Sequence, residues 1–259
     1  MSQAAVELNY VVSGQGPWVT LVHSLASDRT LLDAQASLLE RRFTVLRVDV
    51  RGHGGSPAPA GPYTMGALAQ DVQNLFDRLG VERTAWVGVS LGGMIGLTHA
   101  IRLPGVIDRL AIADTTAGYP REAHASWRDR IAAVRERGMS AVVQGTLSRW
   151  FTADFLARES AQADHFAQMI AATPVEGFAG CCEAIIGYDV SAELGHIRCP
   201  TLVMVGAEDQ ATPPAMAQAL AEGIEGARLH VIPGAAHQAS VERGAEFNAQ
   251  LGAFLEEAR

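Results

Sequence analysis

At 259 residues the chain is long for one compact domain, which most often holds about 100–150 residues, and it suits a single large α/β unit carrying an insertion. A composition that is 48% apolar and 19% charged, with 26 glycines and 11 prolines, excludes collagen, coiled coil and disorder. Twenty Lys and Arg against 28 Asp and Glu leave a net charge of −8, which repels phosphate backbones and argues against a nucleic-acid partner.

In chain order, Met1-Ser2-Gln3-Ala4 lacks a basic region followed by an apolar stretch, so no secretory signal is read there and the expected compartment is the cytoplasm. Residues 5–12 and Trp18–Val22 are expected to form a strand pair around the turn Ser13-Gly14-Gln15-Gly16-Pro17. Leu31, Leu32, Leu38 and Leu39 then recur at helical spacing before a β-branched run at 43–48. Leu68, Val72, Leu75, Phe76 and Leu79 make one stripe of a helix over Met65–Leu79 that Gly80 stops. Thr84–Val89 is apolar throughout, as suits the centre of a parallel sheet covered on both faces. This alternation with short loops predicts a doubly wound α/β sheet.

The alternation breaks after a strand at 109–113. Four helical stretches are expected instead, at 121–137, 140–150, 153–172 and 175–187, separated by Gly138, Thr152-Ala153-Asp154 and Thr173-Pro174. Strands at 201–205 and Arg228–Ile232 and helices at 214–222 and 244–257 restore the pattern. The chain therefore divides into a core, 1–118 and 190–259, and a helical cap, 119–189, expected over the carboxyl ends of the strands, where such sheets bind ligands. The longest apolar runs are strand-length, far short of the ~20 residues of a membrane span, so no membrane association is expected.

Gly88-Val89-Ser90-Leu91-Gly92 stands between the buried strand and a helix, the context in which G-x-S-x-G forms a nucleophile elbow with the serine exposed on a sharp turn. A serine hydroxyl requires a base and a carboxylate to orient that base, and in this arrangement they follow in the order serine, acid, histidine. Asp209 and His237 each lie in a loop after a strand, on the same sheet edge as Ser90. Glu208 beside Asp209, and Asp114 one strand earlier, are rival acids. His53, His99, His124, His165, His196 and His230 lack the placement of His237.

Acyl transfer also needs donors for an oxyanion, expected from the backbone N–H of Leu91 and, in the loop His23-Ser24-Leu25-Ala26, that of Leu25. No cofactor is expected: Gly52-His53-Gly54-Gly55 lacks the end of a phosphate loop, and no dinucleotide fingerprint follows the first strands. No metal is expected either, since no two histidines have ligand spacing, and Cys181, Cys182 and Cys199 fit neither a zinc site nor a disulfide framework. Arg149, Trp150 and Phe151 end a cap helix, where they serve either as pocket walls or as ordinary packing beside a solvated arginine.

Gly88-Val89-Ser90-Leu91-Gly92-Gly93-Met94, with Asp49-Val50-Arg51-Gly52-His53-Gly54-Gly55-Ser56 and the late Asp209 and His237, resembles the α/β-hydrolase superfamily. Within it the chain is similar to the 3-oxoadipate enol-lactone hydrolases of aromatic catabolism. The likeness includes Gly61-Pro62-Tyr63-Thr64, Arg149-Trp150-Phe151-Thr152-Ala153 and Gly177-Phe178-Ala179-Gly180-Cys181-Cys182-Glu183-Ala184-Ile185. The resemblance implies a lactonase with an acyl-enzyme on Ser90, a small-molecule substrate, and a role for Arg149 and Trp150 in holding a carboxylate-bearing lactone. One departure stands out, His23-Ser24-Leu25-Ala26 where those lactonases usually read Asn-Ser-Leu-Gly, which leaves other lactones and simple esters open. A carboxylesterase and a non-catalytic small-molecule receptor on the same fold are the competing readings.

Overall fold

In the computed structural model, which describes residues 5–257, seven strands form one sheet in the order β1-β3-β2-β4-β5-β6-β7. The tetrapeptide Met1 to Ala4, in which no signal was read, lies outside the described residues. The strands are β1 (Tyr10–Ser13), β2 (Trp18–Val22), β3 (Thr44–Val48), β4 (Thr84–Val89), β5 (Ile107–Ala113), β6 (Thr201–Gly206) and β7 (Arg228–Ile232). The helices α1 (Asp33–Leu39), α2 (Met65–Leu79) and α3 (Leu91–Arg102) alternate with the early strands. Between β5 and β6 come α4 (His124–Arg137), α5 (Val143–Trp150), α6 (Ala153–Arg158), α7 (Ser160–Ala172) and α8 (Val175–Ile186). The chain ends with α9 (Pro214–Gly223), α10 (Ala239–Glu242) and α11 (Gly244–Glu256).

Two expectations change. β1 and β2 are not neighbours, because β3 lies between them, antiparallel to β1 and parallel to β2. Thr44 docks onto the turn after β1, its N–H donating to the Pro17 carbonyl at 2.9 Å and its hydroxyl to that of Gly16 at 2.7 Å. The crossover through α1 brings β3 alongside β2, so the edge that a β1–β2 hairpin would use is already taken. The second change is in the helical block, where 153–172 is two helices and not one: Glu159 leaves the helical region (φ −111°, ψ 48°). Phe155 stacks on Phe151 with ring centroids 4.6 Å apart, which turns α6 against the end of α5 without any Gly or Pro to mark the break.

Alternation along the strands sends side chains to two apolar layers. Ala85, Val87 and Val89 join Phe247, Leu251 and Phe254 of α11 on one face. Trp86 joins α2 and α3 on the other, in a cluster that continues into Ile131, Trp150, Phe166 and Phe178 of the helical block. That block therefore shares a core with one face of the sheet. At its base the chain leaves and returns side by side, with Gly118 bridged to Asp189 and the Val190 N–H donating to the Ala117 carbonyl at 2.8 Å. Among the described residues no single helix is long and apolar enough to cross a membrane.

The order of crossovers matters for the site. After β3 the chain passes over β2 to reach β4, so the loops leaving β2 and β4 diverge to opposite sides and open a crevice at the carboxyl ends of the strands.

Candidate active site

Ser90 occupies that crevice, between β4 and α3, with φ at +53°. The turn is possible only because its flanks are glycine: a Cβ on Gly88 would stand 2.3 Å from the Gly92 carbonyl oxygen, and one on Gly92 would stand 2.1 Å from that of Val22. The strained backbone is held from both sides. The Ser90 N–H donates to the Ala113 carbonyl at 2.9 Å, and its own carbonyl accepts from the Thr115 hydroxyl at 2.8 Å and from the Met94 N–H at 3.0 Å.

His237 Nε2 lies 2.9 Å from Ser90 Oγ, and its Nδ1 lies 2.8 Å from Asp209 Oδ2. A carboxylate on the Nδ1 side selects the tautomer with hydrogen on Nδ1 and the acceptor on Nε2, facing the serine hydroxyl. Asp209 is itself fixed: Oδ1 accepts from the Ala211 and Thr212 N–H groups at 2.8 and 3.0 Å, and Oδ2 from the Thr212 hydroxyl at 2.7 Å. Burial works against charge on both groups, but the attraction and hydrogen bond between them prevail, holding Asp209 below and His237 above its ordinary pKa.

The rival acids occupy other places. Glu208 is exposed. Asp114 is buried, and its two oxygens accept the N–H groups of Gly206 (2.9 Å) and Ala239 (3.2 Å), so it braces the end of β6 against the segment after His237. Burial, followed by the charge of Asp209, holds the Asp114 carboxyl well above the usual carboxylate range.

Leu91 opens α3, so its N–H has no acceptor within the helix. Leu25 lines the same chamber as Ser90. Below it two buried histidines hold the loop, which the sequence alone did not reveal. The Ala26 N–H donates to His53 Nε2 and the Val50 N–H to His23 Nε2, both at 3.0 Å. The Nδ1 atom of His23 donates to the Ser24 carbonyl at 2.7 Å and that of His53 to the Arg51 carbonyl at 3.2 Å. Both rings must stay neutral to accept, and burial lowers both pKa values, that of His53 to about 3. Ala26 has φ at +64°, the left-handed region that favours glycine.

Gln238, next to His237, is a second residue that carries no signal in the sequence. Its side-chain amide donates to Ser24 Oγ at 2.9 Å, and its backbone N–H to the Trp150 carbonyl at 2.9 Å, so one residue ties the loop after β2 to the helical block. Glu242 adds a second tie, accepting the Thr152 N–H and hydroxyl (2.9 and 2.7 Å) on one oxygen and the Ala236 N–H (2.6 Å) on the other.

Over Ser90 and His237 the helical block closes a chamber with a free volume of about 30 Å³, room for two waters at most. Leu25, Met94, Ile185, Trp127 and Trp150 give it apolar walls. Trp150 is buried and packs edge-on against Phe151 and Phe166. Arg149 is exposed, folds back so that Nη1 donates to the Gly145 carbonyl at 2.6 Å, and lines both the chamber and an outer cleft of about 320 Å³. Of the residues of this wall, Arg149 is exposed and, among the described residues, held only by that bond to its own helix. Among the described residues no three His, Cys, Asp or Glu side chains converge on a metal position.

Residues 17–243 match the family described as the α/β hydrolase fold. A curated relative, 3-oxoadipate enol-lactonase 2 of Acinetobacter baylyi, is 34% identical over 96% of this chain and 93% of its own. Among solved structures, the enol-lactonase of Burkholderia xenovorans LB400 superposes with a TM-score of 0.94 at 37% identity, over 97% of each chain. A thermophilic esterase from Thermogutta terrifontis superposes with a TM-score of 0.93 at 29% identity, over 97% of this chain and 94% of its own.

Proposed function

The chain belongs to the α/β-hydrolase family, and from that premise we propose that it is a serine hydrolase of carboxylic esters that opens 3-oxoadipate enol-lactone or a closely related carboxylate-bearing lactone. The observation that carries the reading is the continuous hydrogen-bonded chain Ser90, His237, Asp209 on the floor of an apolar chamber. The substrate assignment is supported by the names and the near end-to-end likeness of the two lactonases.

In this reading Ser90 Oγ attacks the ring carbonyl as His237 Nε2 takes its proton, and Asp209 holds the imidazolium that results. The N–H groups of Leu91 and Leu25 receive the tetrahedral oxyanion, each contributing about 3–4 kcal/mol to its stabilisation. Collapse breaks the ring C–O bond and His237 returns the proton to the leaving enol oxygen, which stays tethered to the acyl-enzyme. Water, deprotonated by His237, then attacks the ester on Ser90 and frees one product with a new carboxylate. We assign residues 119–189 as the cap over a core of 1–118 and 190–259, with Trp150 as a wall of the chamber and Arg149 as the cation at its mouth.

The test is a panel comparing kcat/KM for 3-oxoadipate enol-lactone, neutral lactones and aryl esters, with Ser90→Ala alongside. The expected result is preference for the charged lactone and loss of about 10⁶-fold in kcat for Ser90→Ala, the scale of nucleophile removal in another serine enzyme. Preference for neutral aryl esters points to the second reading, a simple carboxylesterase, which the likeness to the thermophilic esterase supports. Saturable binding of ester without product indicates a receptor.

A further inference from the structure

The roof of the chamber contains a cation that no acid among the described residues pairs with. Arg130, on α4, extends into the chamber between two aromatic faces, its guanidinium carbon 4.6 Å from the Trp127 ring centroid and 5.2 Å from that of Phe178. Among the described residues its hydrogen bond to a side chain is a long contact from Nη2 to the Thr146 hydroxyl at 3.4 Å. Its Nε is shielded from solvent and has no partner among the described residues. The buried arginine of the core is treated quite differently: Arg51 donates to both oxygens of Asp71 at 2.7 and 2.8 Å. A half-buried arginine whose Nε is cut off from water and has no counter-charge beside it is costly to hold, and this chain, at −8 overall, has acids to spare. On the same chamber wall stands a second cation, Arg149. The carboxylate of Asp209 lies beyond His237, already satisfied by it and by Thr212.

We propose that Arg130 is the anchor for a carboxylate on the substrate, at the end remote from the ester carbonyl, with Trp127 and Phe178 fixing its guanidinium plane and Thr146 its edge. This rests on the reading of the site as an ester hydrolase and narrows its substrates to acids. The fork of Nε and Nη2 matches a carboxylate in two parallel charge-assisted bonds, and the closed, apolar surroundings strengthen both. Arg149, to which the family resemblance gives that carboxylate, is exposed and bonded to its own helix, and in this proposal it serves entry and not the bound state. The bound anion supplies the charge the fold leaves out, and the pairing discriminates between acids and neutral esters of equal length.

The experiment uses two phenyl esters with the same leaving group, phenyl hydrogen glutarate, which is an anion, and phenyl pentanoate, which is neutral. The wild type is expected to favour the anion. Arg130→Met is expected to lower kcat/KM for the anion about 100-fold, mostly in KM, a loss at least about 30-fold greater than for the neutral ester. Arg130→Lys, which keeps the charge but loses the fork, is expected to recover about 10-fold of that loss. Free glutarate should inhibit phenyl pentanoate hydrolysis competitively in the wild type and much more weakly in Arg130→Met. Equal losses on both esters, or a charged-ester effect carried by Arg149→Met instead, overturn the assignment. If Arg130→Met does not fold, glutarate inhibition of Arg130→Lys decides: wild-type inhibition overturns the assignment, weakened inhibition supports it. Should 3-oxoadipate enol-lactone prove inert while the glutarate ester keeps its advantage, the anchor stands and the lactone reading falls. Should the lactone react with no dependence on Arg130, the anchor falls and the lactone reading stands.

Discussion

On the floor of the chamber Asp209, His237 and Ser24 are held by partners within the protein, whereas on the roof Arg130 and Arg149 have no acidic partner among the described residues. The floor is drawn from the ends of β2, β4, β6 and β7, and its loops are braced by buried groups that do not line the chamber: Asp114, His23, His53 and Gln238. The roof is drawn from helices whose apolar sides are anchored in the core while their polar tips face the chamber. A floor satisfied internally keeps one geometry whatever is bound, as bond-making chemistry requires. A roof left short of counter-charge gains most when a ligand completes it. In the proposed reading, reaction type and substrate choice are thus built by opposite rules on two sides of one chamber.

The largest test of the rigid floor is Asp209→Asn. We expect kcat to fall about 10⁴-fold, as at a triad aspartate elsewhere. The sign of its pH effect follows from the pair: Asp209 raises the His237 pKa, and activity needs neutral His237, so the wild-type acid limb of kcat/KM lies above the ordinary imidazole value of about 6.5. Removing the carboxylate moves that limb to lower pH. The same change at Asp114 disturbs a brace and not the pair, so its loss is expected to be smaller; if it exceeds that of Asp209→Asn, the acid is misassigned.

A middle-sized effect is expected at His53→Ala, which strands the buried Ala26 N–H beneath the loop that carries Leu25. Loosening one oxyanion donor without removing it should lower kcat on the order of 10–100-fold, with stability reduced by about 1–3 kcal/mol. In the wild type His53 is neutral when folded, with a pKa of about 3, and takes up a proton near pH 6.5 when unfolded. Its contribution to stability is therefore full above pH 6.5 and lost progressively as pH falls towards 3. Urea midpoints measured at pH 7 and 4.5 should converge between wild type and His53→Ala as the pH is lowered; a constant gap would show that His53 is not kept neutral.

The smallest effect is expected at Ala26→Gly. With φ at +64° the alanine carries roughly 1–2 kcal/mol of left-handed strain, partly offset because glycine has more freedom to lose on folding. A net gain of about 0.5–1 kcal/mol in thermal unfolding is expected; a loss would mean that the methyl group packs well enough to repay its strain.

Much of the floor was legible in the sequence because strand and turn chemistry are local. Thr84–Val89 reads as a buried strand from its composition, and the glycines at 88 and 92 announce a turn that admits nothing larger. Asp209 and His237 stood out by following strands, yet nothing in the chain order separated Asp209 from Glu208 or Asp114. That choice depends on which side chain turns towards a histidine 28 residues away in the case of Asp209 and still farther for Asp114. The pairing of β1 escaped because two apolar strands about a turn look alike whether or not a third slips between them. The break at Glu159 escaped because no Gly or Pro marks it in the sequence.

By itself the amino-acid order determined the α/β alternation, the turn at Ser90 and the run of helices between β5 and β6, since each follows from periodicity or from steric limits within a few residues. Only the tertiary structure decided which arginine is held between two rings, which acid holds His237 and which buried histidines support the loop that carries Leu25. The physical reason is the same in each case: a cation stranded between two rings, or an N–H that finds an imidazole, is a property of what surrounds it, and those surroundings come from helices and loops distant in the chain.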